Sequence, residues 1–524
     1  MAEIVSEQYR FWCPYCFCKK TGEMLNHDDV LFRSETVFKT ESELMKQMTN
    51  GAFSSQEELA IDLEGKLTPD QSQHLLSIFE QRKSFIQGTS QTYNNFWHDY
   101  AGGTTEPESK AVAQKIKRGQ ERPVISPKDP GQAAPNALLA DQDGFVYGMK
   151  DIWGNETTQR VCPHCHNPLP PLYGKYPIYF ISVIGTSGAG KTVFLSQFIK
   201  NFSNVNAMFG LPSMHLSTNE ANYVENNKIA INVSLPQGTD PGTLQQPLFY
   251  NLQKNKITNT FVFYDIAGED CVDDQVMSRY SSFIKHSSGI IFLIDPRQIP
   301  VFGLELQENE KVDEPRRVLD TVRRAFPGDN QADIPLAIVI SKSDQCRHVL
   351  GQCSTLYQPN ITKVYDNMKE ALSQPMFNAA EYNIIAEYLD RFMQAQVPDL
   401  WAIVAENYNH YNYFAFSAIG CDVQDTCPVD NPLPYRIQEP FFWILKEIGM
   451  LGTNAPVFPK IAKEKADAML HEFVGTLGKP GFFAKKYETP FGKIELAQKE
   501  QYLSKENEVM KRVDTAYKGG GTHA

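Results

Sequence analysis

The stretch Val183-Ile-Gly-Thr-Ser-Gly-Ala-Gly-Lys-Thr192 places three glycines just ahead of a lysine and a hydroxyl residue. Gly185, Gly188 and Gly190 allow tight turns, so the backbone N–H groups of the loop can point inward and hold phosphate oxygens. Lys191 adds a point charge for the β- and γ-phosphates of a nucleotide, and the Thr192 hydroxyl can ligate Mg²⁺. The spacing Gly-x₄-Gly-Lys-Thr meets the full phosphate-loop pattern. The expected binding set is Gly185, Ser187, Gly188, Ala189, Gly190, Lys191, Thr192 and Val193. A plain glycine turn would explain the glycines but not the Lys-Thr pair.

Three later segments bear on which nucleotide this is. Asp265-Ile-Ala-Gly268 closes the apolar run "TFVFYDIAG". Asp265 is suited to hold Mg²⁺ through water, and the Gly268 N–H to reach a γ-phosphate. Ser341-Lys-Ser-Asp344 closes "LAIVISKSD". The Asp344 carboxylate can accept from the N1–H and the exocyclic amine of guanine; adenine lacks that donor pair and would leave the carboxylate unpaired. The stem of Lys342 can cover base and ribose. Ser417-Ala418, after "YFAF", offers a backbone N–H to guanine O6. Taken singly, each segment reads more readily as a plain turn or strand end. Their order, each at the carboxyl end of an apolar run, matches where open α/β sheets bind ligands.

This ordered series resembles the G motifs of TRAFAC-class GTPases, the Ras-like and translation-factor group, over 176–449. The resemblance implies GTP/GDP and Mg²⁺ as ligands. It makes Thr192 and Asp265 the Mg²⁺ residues, and Lys191 and Gly268 part of the catalytic set. Two departures stand out. Ser341 replaces the usual Asn or Thr, and Glu269 stands where Ras-like enzymes position water with a glutamine. A glutamate beside a γ-phosphate is repelled unless protonated or paired, so slow or partner-stimulated hydrolysis is expected. The switch threonine, a further Mg²⁺ ligand and catalytic residue, falls in "LPQGTDPGT": Thr239 is favoured and Thr243 is the alternative.

Near-continuous apolar runs separated by helical stretches call for an α/β fold with a mostly parallel sheet and helices on both faces. The runs are "YPIYFISVIG", "IAINVSL", "TFVFYDIAG", "GIIFLIDP", "LAIVISKSD" and "YFAFSAIG", with "TVFLSQFIKNF" as the helix after the phosphate loop. The segment 345–410 is expected to be an insertion. Beyond 450 the spacing of Ile461, Ala466, Met469, Leu470, Phe473, Val474 and Leu477 predicts an amphipathic helix. A second helix is expected through Leu496, Leu503, Met510 and Val513, with a disordered tail.

Ahead of this domain, Cys13 and Cys16 in "FWCPYCFCKK" and Cys162 and Cys165 in "RVCPHCHNPLP" form two Cys-x-x-Cys knuckles. Four thiolates make a closed, structural Zn²⁺ site. Cys18, His164 and His166 are left out of it. The knuckles resemble those of zinc-ribbon proteins, so 1–175 is expected to be a split ribbon. Its insertion has helix-like spacing from Glu41 to Tyr100, where Leu75, Leu76, Ile78, Phe79 and Ile86 share a face. A flexible loop follows over about 101–136. Together with "YDIAGED", "CPHCHNPLP" resembles the bacterial double-GTPase-type proteins of conflict and defence systems.

A length of 524 residues calls for two or three domains. The net charge of −12 argues against a nucleic-acid-coating surface. No apolar run is long enough to insert in a membrane, and the ten cysteines fit a reducing cytoplasm. The expectation is a cytoplasmic GTP-binding switch read by a protein partner, with homo-oligomerisation open. The alternatives are a P-loop ATPase of another branch and a non-hydrolysing, GTP-gated assembly scaffold.

Overall fold

The computed structural model describes residues 9–61, 65–88, 90–100, 122–208, 211–236, 246–254, 256–265, 284–304, 315–325, 333–351, 353–357, 379–424, 426–451, 486–489 and 492–495. The chain divides into two compact units, Met1–Ile178 and Tyr179–Ala524.

In the second unit, five of the apolar runs become strands of one sheet. These are β1 (Ile178–Gly185), β4 (Ile257–Asp265), β5 (Ser287–Ile294), β6 (Leu336–Ile340) and β7 (Tyr411–Ala415). Short β2 (Ser213–His215) and β3 (Leu248–Lys254) complete seven strands in the order β2-β3-β4-β1-β5-β6-β7. The pairs β1–β5, β5–β6 and β6–β7 are parallel, while β2–β3 and β3–β4 are antiparallel. Phe180 to Ile184 of β1 are buried without a break. Successive strand residues point to opposite faces, so both faces of the sheet are covered.

The helices of this unit are α1 (Lys191–Met208), α2 (Asn219–Asn226), α3 (Pro315–Ala325), α4 (Ala379–Gln396), α5 (Pro398–Asn407) and α6 (Glu439–Glu447). Phe194, Phe198 and Phe202 recur at four-residue steps on α1 and form one buried stripe. Phe198 packs edge-on against Phe263 of β4 at 5.4 Å and against Phe441 of α6 at 5.4 Å. Such pairs add about 0.5–1.5 kcal/mol each beyond the area they bury. α6 also crosses β5 closely: a Cβ on Gly289 would lie 2.5 Å from Cγ2 of Ile444.

Several expectations change. "IAINVSL" is not a strand. Asn232 is left-handed at φ 57°, which breaks the extended run, and its N–H donates to Pro428 O. Part of 345–410 belongs to the main core, because Tyr382 and Ala386 of α4 lie in the same buried cluster as α1 and Tyr382 stacks on Phe414 of β7. Past 450 the described residues form an antiparallel hairpin, Lys486–Thr489 with Gly492–Glu495, where helices alone were expected. The segment Ile461–Leu477 and the second C-terminal helix lie outside the described residues.

The first unit contains small sheets and the expected helices Glu41–Met48, Gln56–Ile61, Pro69–Arg82 and Gln91–Tyr100. The third of these opens with a capping box between Thr68 and Gln71 and has Pro69 in its first turn, an arrangement that satisfies N–H groups the helix itself cannot. It ends at Arg82, so Ile86 lies beyond it, although Leu75, Leu76 and Ile86 still pack on the Phe79 cluster. The expected loop over 101–136 is only partly so. Residues 101–121 are outside the described residues, Val124–Ile125 pairs with Leu31–Arg33, and a strand begins at Ala133.

Candidate functional site

Register explains why the motif segments meet. Gly185 of β1 is opposite Leu293 of β5, Ile294 is opposite Ile340 of β6, and Ile340 is opposite Ala415 of β7. Four parallel strands therefore end at one level. The segments that follow them (from Thr186, Asp295, Ser341 and Phe416) emerge side by side at that edge.

The phosphate loop is built on close approach. A Cβ on Gly185 would lie 2.3 Å from the backbone oxygen of Leu293, a contact no side chain tolerates. Gly188 and Gly190 hold φ of 71° and 76°, where an L side chain is strained. Lys191 opens α1 and is only 7% exposed; its ammonium donates to the carbonyls of Thr186 (2.9 Å) and Gly185 (3.3 Å). The lysine charge thus lies in the mouth of the loop. Ser187, Ala189 and Val193 flank it along the loop and the first turn of α1.

Thr192 and Asp265 come together although 73 residues separate them. The Thr192 hydroxyl donates to Asp265 Oδ2 at 3.1 Å, and the Tyr223 hydroxyl of α2 donates to the same oxygen at 2.8 Å. Burial above all, and then the Asp265 charge, hold the Tyr223 phenol well above its ordinary pKa, so it stays a donor. A hydroxyl and a carboxylate are the hard oxygen donors that Mg²⁺ prefers, and the pair fits that ion.

On the base side, Ser343 N–H donates to Phe416 O at 3.0 Å, which sets Asp344 next to Ser417 and Ala418. Burial raises the pKa of Asp344, opposed by the Ser417 hydrogen bond and the Lys342 charge. The Ser417 N–H is committed to Tyr435 O (3.3 Å), so within Ser417–Ala418 the candidate donor to guanine O6 is the Ala418 N–H. Ser341, the departure from the usual motif, donates its hydroxyl to Ile294 O at 3.0 Å and ties β6 to β5.

The structure adds three residues that the sequence reading passed over: Asp295, Arg297 and Tyr223. Asp295, 1% exposed, follows β5, and its N–H donates to the Thr186 hydroxyl in the phosphate loop. Its Oδ2 accepts from Lys342 Nζ at 3.0 Å and from Arg297 Nη2 at 2.5 Å. One buried residue so joins the phosphate loop through its backbone N–H, and the Lys342 segment and an arginine through its carboxylate. Burial works to raise the Asp295 pKa, but the Arg297 hydrogen bonds and the Lys342 charge outweigh it and hold the group below its ordinary value. Arg297 lies close against the loop: a Cβ on Gly188 would be 2.5 Å from its Nη2. The available signal was the Asp-Pro-Arg after "GIIFLI", a carboxylate closing a buried strand, as Asp265 does. Tyr223 gave no such signal, because an aromatic on a short helix is ordinary core. Thr239, Thr243, Gly268 and Glu269 lie outside the described residues.

The first unit holds the cysteine cluster. The sulfurs of Cys13, Cys16, Cys162 and Cys165 all lie within 4.8 Å of one another, with 3.7 Å for Cys13–Cys165 and for Cys16–Cys162. A tetrahedron with Zn–S bonds of about 2.3 Å has sulfurs about 3.8 Å apart, so the set fits zinc. The knuckles share a backbone design. Tyr15 N–H and His164 N–H donate to Cys13 and Cys162 sulfur, and Phe17 and His166 turn left-handed after the second cysteine of each. The helix Gln91–Tyr100 packs on this centre: Trp97 Nε1 donates to Asn167 at 3.1 Å and meets Tyr15 edge-on. His166 Nδ1 pairs with Ser90 Oγ at 2.7 Å, in keeping with its exclusion from the ligands.

Among the described residues, no helix is long and apolar enough to cross a membrane. No curated protein matches the chain. Residues 179–391 match the family described as Double-GTPase 2, a match that supports a double-GTPase-type protein with a P-loop GTPase fold, and the four clustered cysteines fit a zinc ribbon.

Proposed function

We propose that the chain is a Mg²⁺-dependent GTP-binding switch whose hydrolysis is slow or stimulated by a partner. The observation that carries this reading is the Asp295 junction: its carboxylate accepts from Lys342 of the base segment, and its backbone N–H donates to the Thr186 hydroxyl of the phosphate loop. Base and phosphate recognition are then one unit, as selective binding of a whole guanine nucleotide requires. Lys191 and the loop N–H groups hold the phosphates, Asp344 and Ala418 read the guanine edge, and Thr192 with Asp265 holds Mg²⁺. The ion, when bound, neutralises charge that develops on the phosphates during transfer. Arg297, in reach of the loop at Gly188, adds a second cation from within the chain. Gly268 and Glu269 act at the γ-phosphate, and Thr239 is the threonine that orders around the Mg²⁺-bound triphosphate. A protein partner in the cytoplasm reads that ordering. A bacterial conflict or defence setting rests on the resemblance carried by "CPHCHNPLP" and "YDIAGED".

The test is competition of unlabelled GTP, ATP and XTP against labelled GTP on the full chain with Mg²⁺, repeated on Asp344→Asn. Two hydrogen bonds to a carboxylate, at about 1.5–3 kcal/mol each, imply a preference of about 100-fold or more for GTP over ATP. The variant shifts that preference towards XTP. Equal competition by ATP overturns the guanine reading. Turnover that stays at zero with saturating GTP, with and without partner extract, leaves the non-hydrolysing scaffold.

A further inference from the structure

We propose that Tyr223 is a positioning residue for Mg²⁺, holding Asp265 in the orientation the metal needs; this rests on the reading of Thr192 and Asp265 as the Mg²⁺ residues. Tyr223 is buried, and its hydroxyl donates to the carboxylate oxygen that also accepts from Thr192, at 2.8 and 3.1 Å. Two donors from different elements on one oxygen restrict rotation of the carboxylate. They also set the hydroxyl of Thr192: with its one proton on Asp265, that oxygen presents lone pairs, which are what a cation binds.

The helix that carries Tyr223 is pinned at both ends. At its start, Glu220 is 1% exposed and accepts from Ser217 Oγ (2.8 Å) and from the Phe249 N–H of β3 (2.6 Å). At its end, Ser196 Oγ of α1 donates to Asn227 O at 2.8 Å, and the Asn227 side chain donates back to Tyr223 O at 2.9 Å. The phenol is therefore delivered by a braced helix between the phosphate-loop helix and the antiparallel edge of the sheet. Hydrogen-bond partners of metal-binding groups of this kind change metal affinity by about 10–100-fold when removed.

The experiment uses the full chain and Tyr223→Phe, which keeps the ring and removes only the hydroxyl. Release of a fluorescent GDP analogue is followed while Mg²⁺ is titrated, with a second series in chelator and a thermal melt without metal. The expected result is a rise of about 10-fold in the Mg²⁺ concentration needed to retain nucleotide, with the release rate in chelator and the melt unchanged. An unchanged Mg²⁺ requirement overturns the inference, and so does a variant that loses nucleotide equally with and without Mg²⁺, because Tyr223 then acts on the fold. If wild type itself retains nucleotide regardless of Mg²⁺, the assignment of Thr192 and Asp265 falls and the inference with it. A wild type that needs Mg²⁺ beside an unaltered variant removes the Tyr223 role alone.

Discussion

Asp295→Asn tests the carboxylate side of the Asp295 junction, its ion pairs with Lys342 and Arg297, and leaves the backbone N–H to Thr186 in place. The carboxylate is 1% exposed and faces two cations, Arg297 at 13% and Lys342 at 29% exposure. Removing one member of a buried ion pair costs about 3–5 kcal/mol, because the charge left behind stays desolvated. Arg297 and Lys342 both keep some access to water, so the low end, about 3 kcal/mol, is expected here. For a domain of this size each kcal/mol shifts the melting temperature by about 2–4 °C, giving a fall of about 6–12 °C. Differential scanning calorimetry at neutral pH measures it, alongside GTP affinity, which is expected to drop at least ~10-fold as Lys342 loses its anchor. The pH dependence has a defined sign. The folded pKa of Asp295 lies below the 3.8 of a free aspartate. Its stabilisation is thus complete above the unfolded pKa and is lost as pH falls through the folded one. The gap between wild type and variant narrows in strong acid. A fall of less than ~2 °C at neutral pH, with GTP affinity unchanged, would refute the part given to the Asp295 carboxylate.

Two further outcomes follow from particular contacts. Gly185→Ala puts a Cβ 2.3 Å from backbone that cannot yield without moving β5, so nucleotide binding is expected to vanish, read by the same displacement assay. A variant that still binds GTP within a few-fold of wild type would contradict the packing of β1 on β5. Cys162→Ser, or strong chelation, is expected to remove one zinc ion per chain and to abolish the cooperative melt of the first unit, since structural zinc contributes about 10–16 kcal/mol of apparent binding energy. Metal analysis of the purified chain checks the first point, and a first unit that melts unchanged without zinc counts against the second.

The proposed guanine side was half legible. Asp344 and Lys342 stood out because the residues that follow a buried strand are few and their chemistry is specific. That Ser417 spends its N–H on Tyr435, which leaves the Ala418 N–H as the candidate donor, depends on a bridge between segments 18 residues apart. "IAINVSL" departs from its expected strand for a related reason. Its apolar spacing suits a strand, but a strand needs a neighbour on the sheet, and the chain turns left-handed at Asn232 instead. The edge position went to Ser213–His215, too short to show any period.

What the sequence determined by itself is whatever is encoded within about ten residues. The Gly185–Thr192 loop, the two cysteine knuckles and five of the six apolar runs belong here, because backbone turns and runs of apolar residues are local physics. What only the tertiary structure decided is which side chains converge on Asp265 and Asp295. Tyr223 meets Asp265 across 42 residues, and Thr186 meets Asp295 across 109. Those meetings depend on strand order and on the common level of the strand ends. Neither is written in any one segment; both follow from burying all the strands and their covering helices at once.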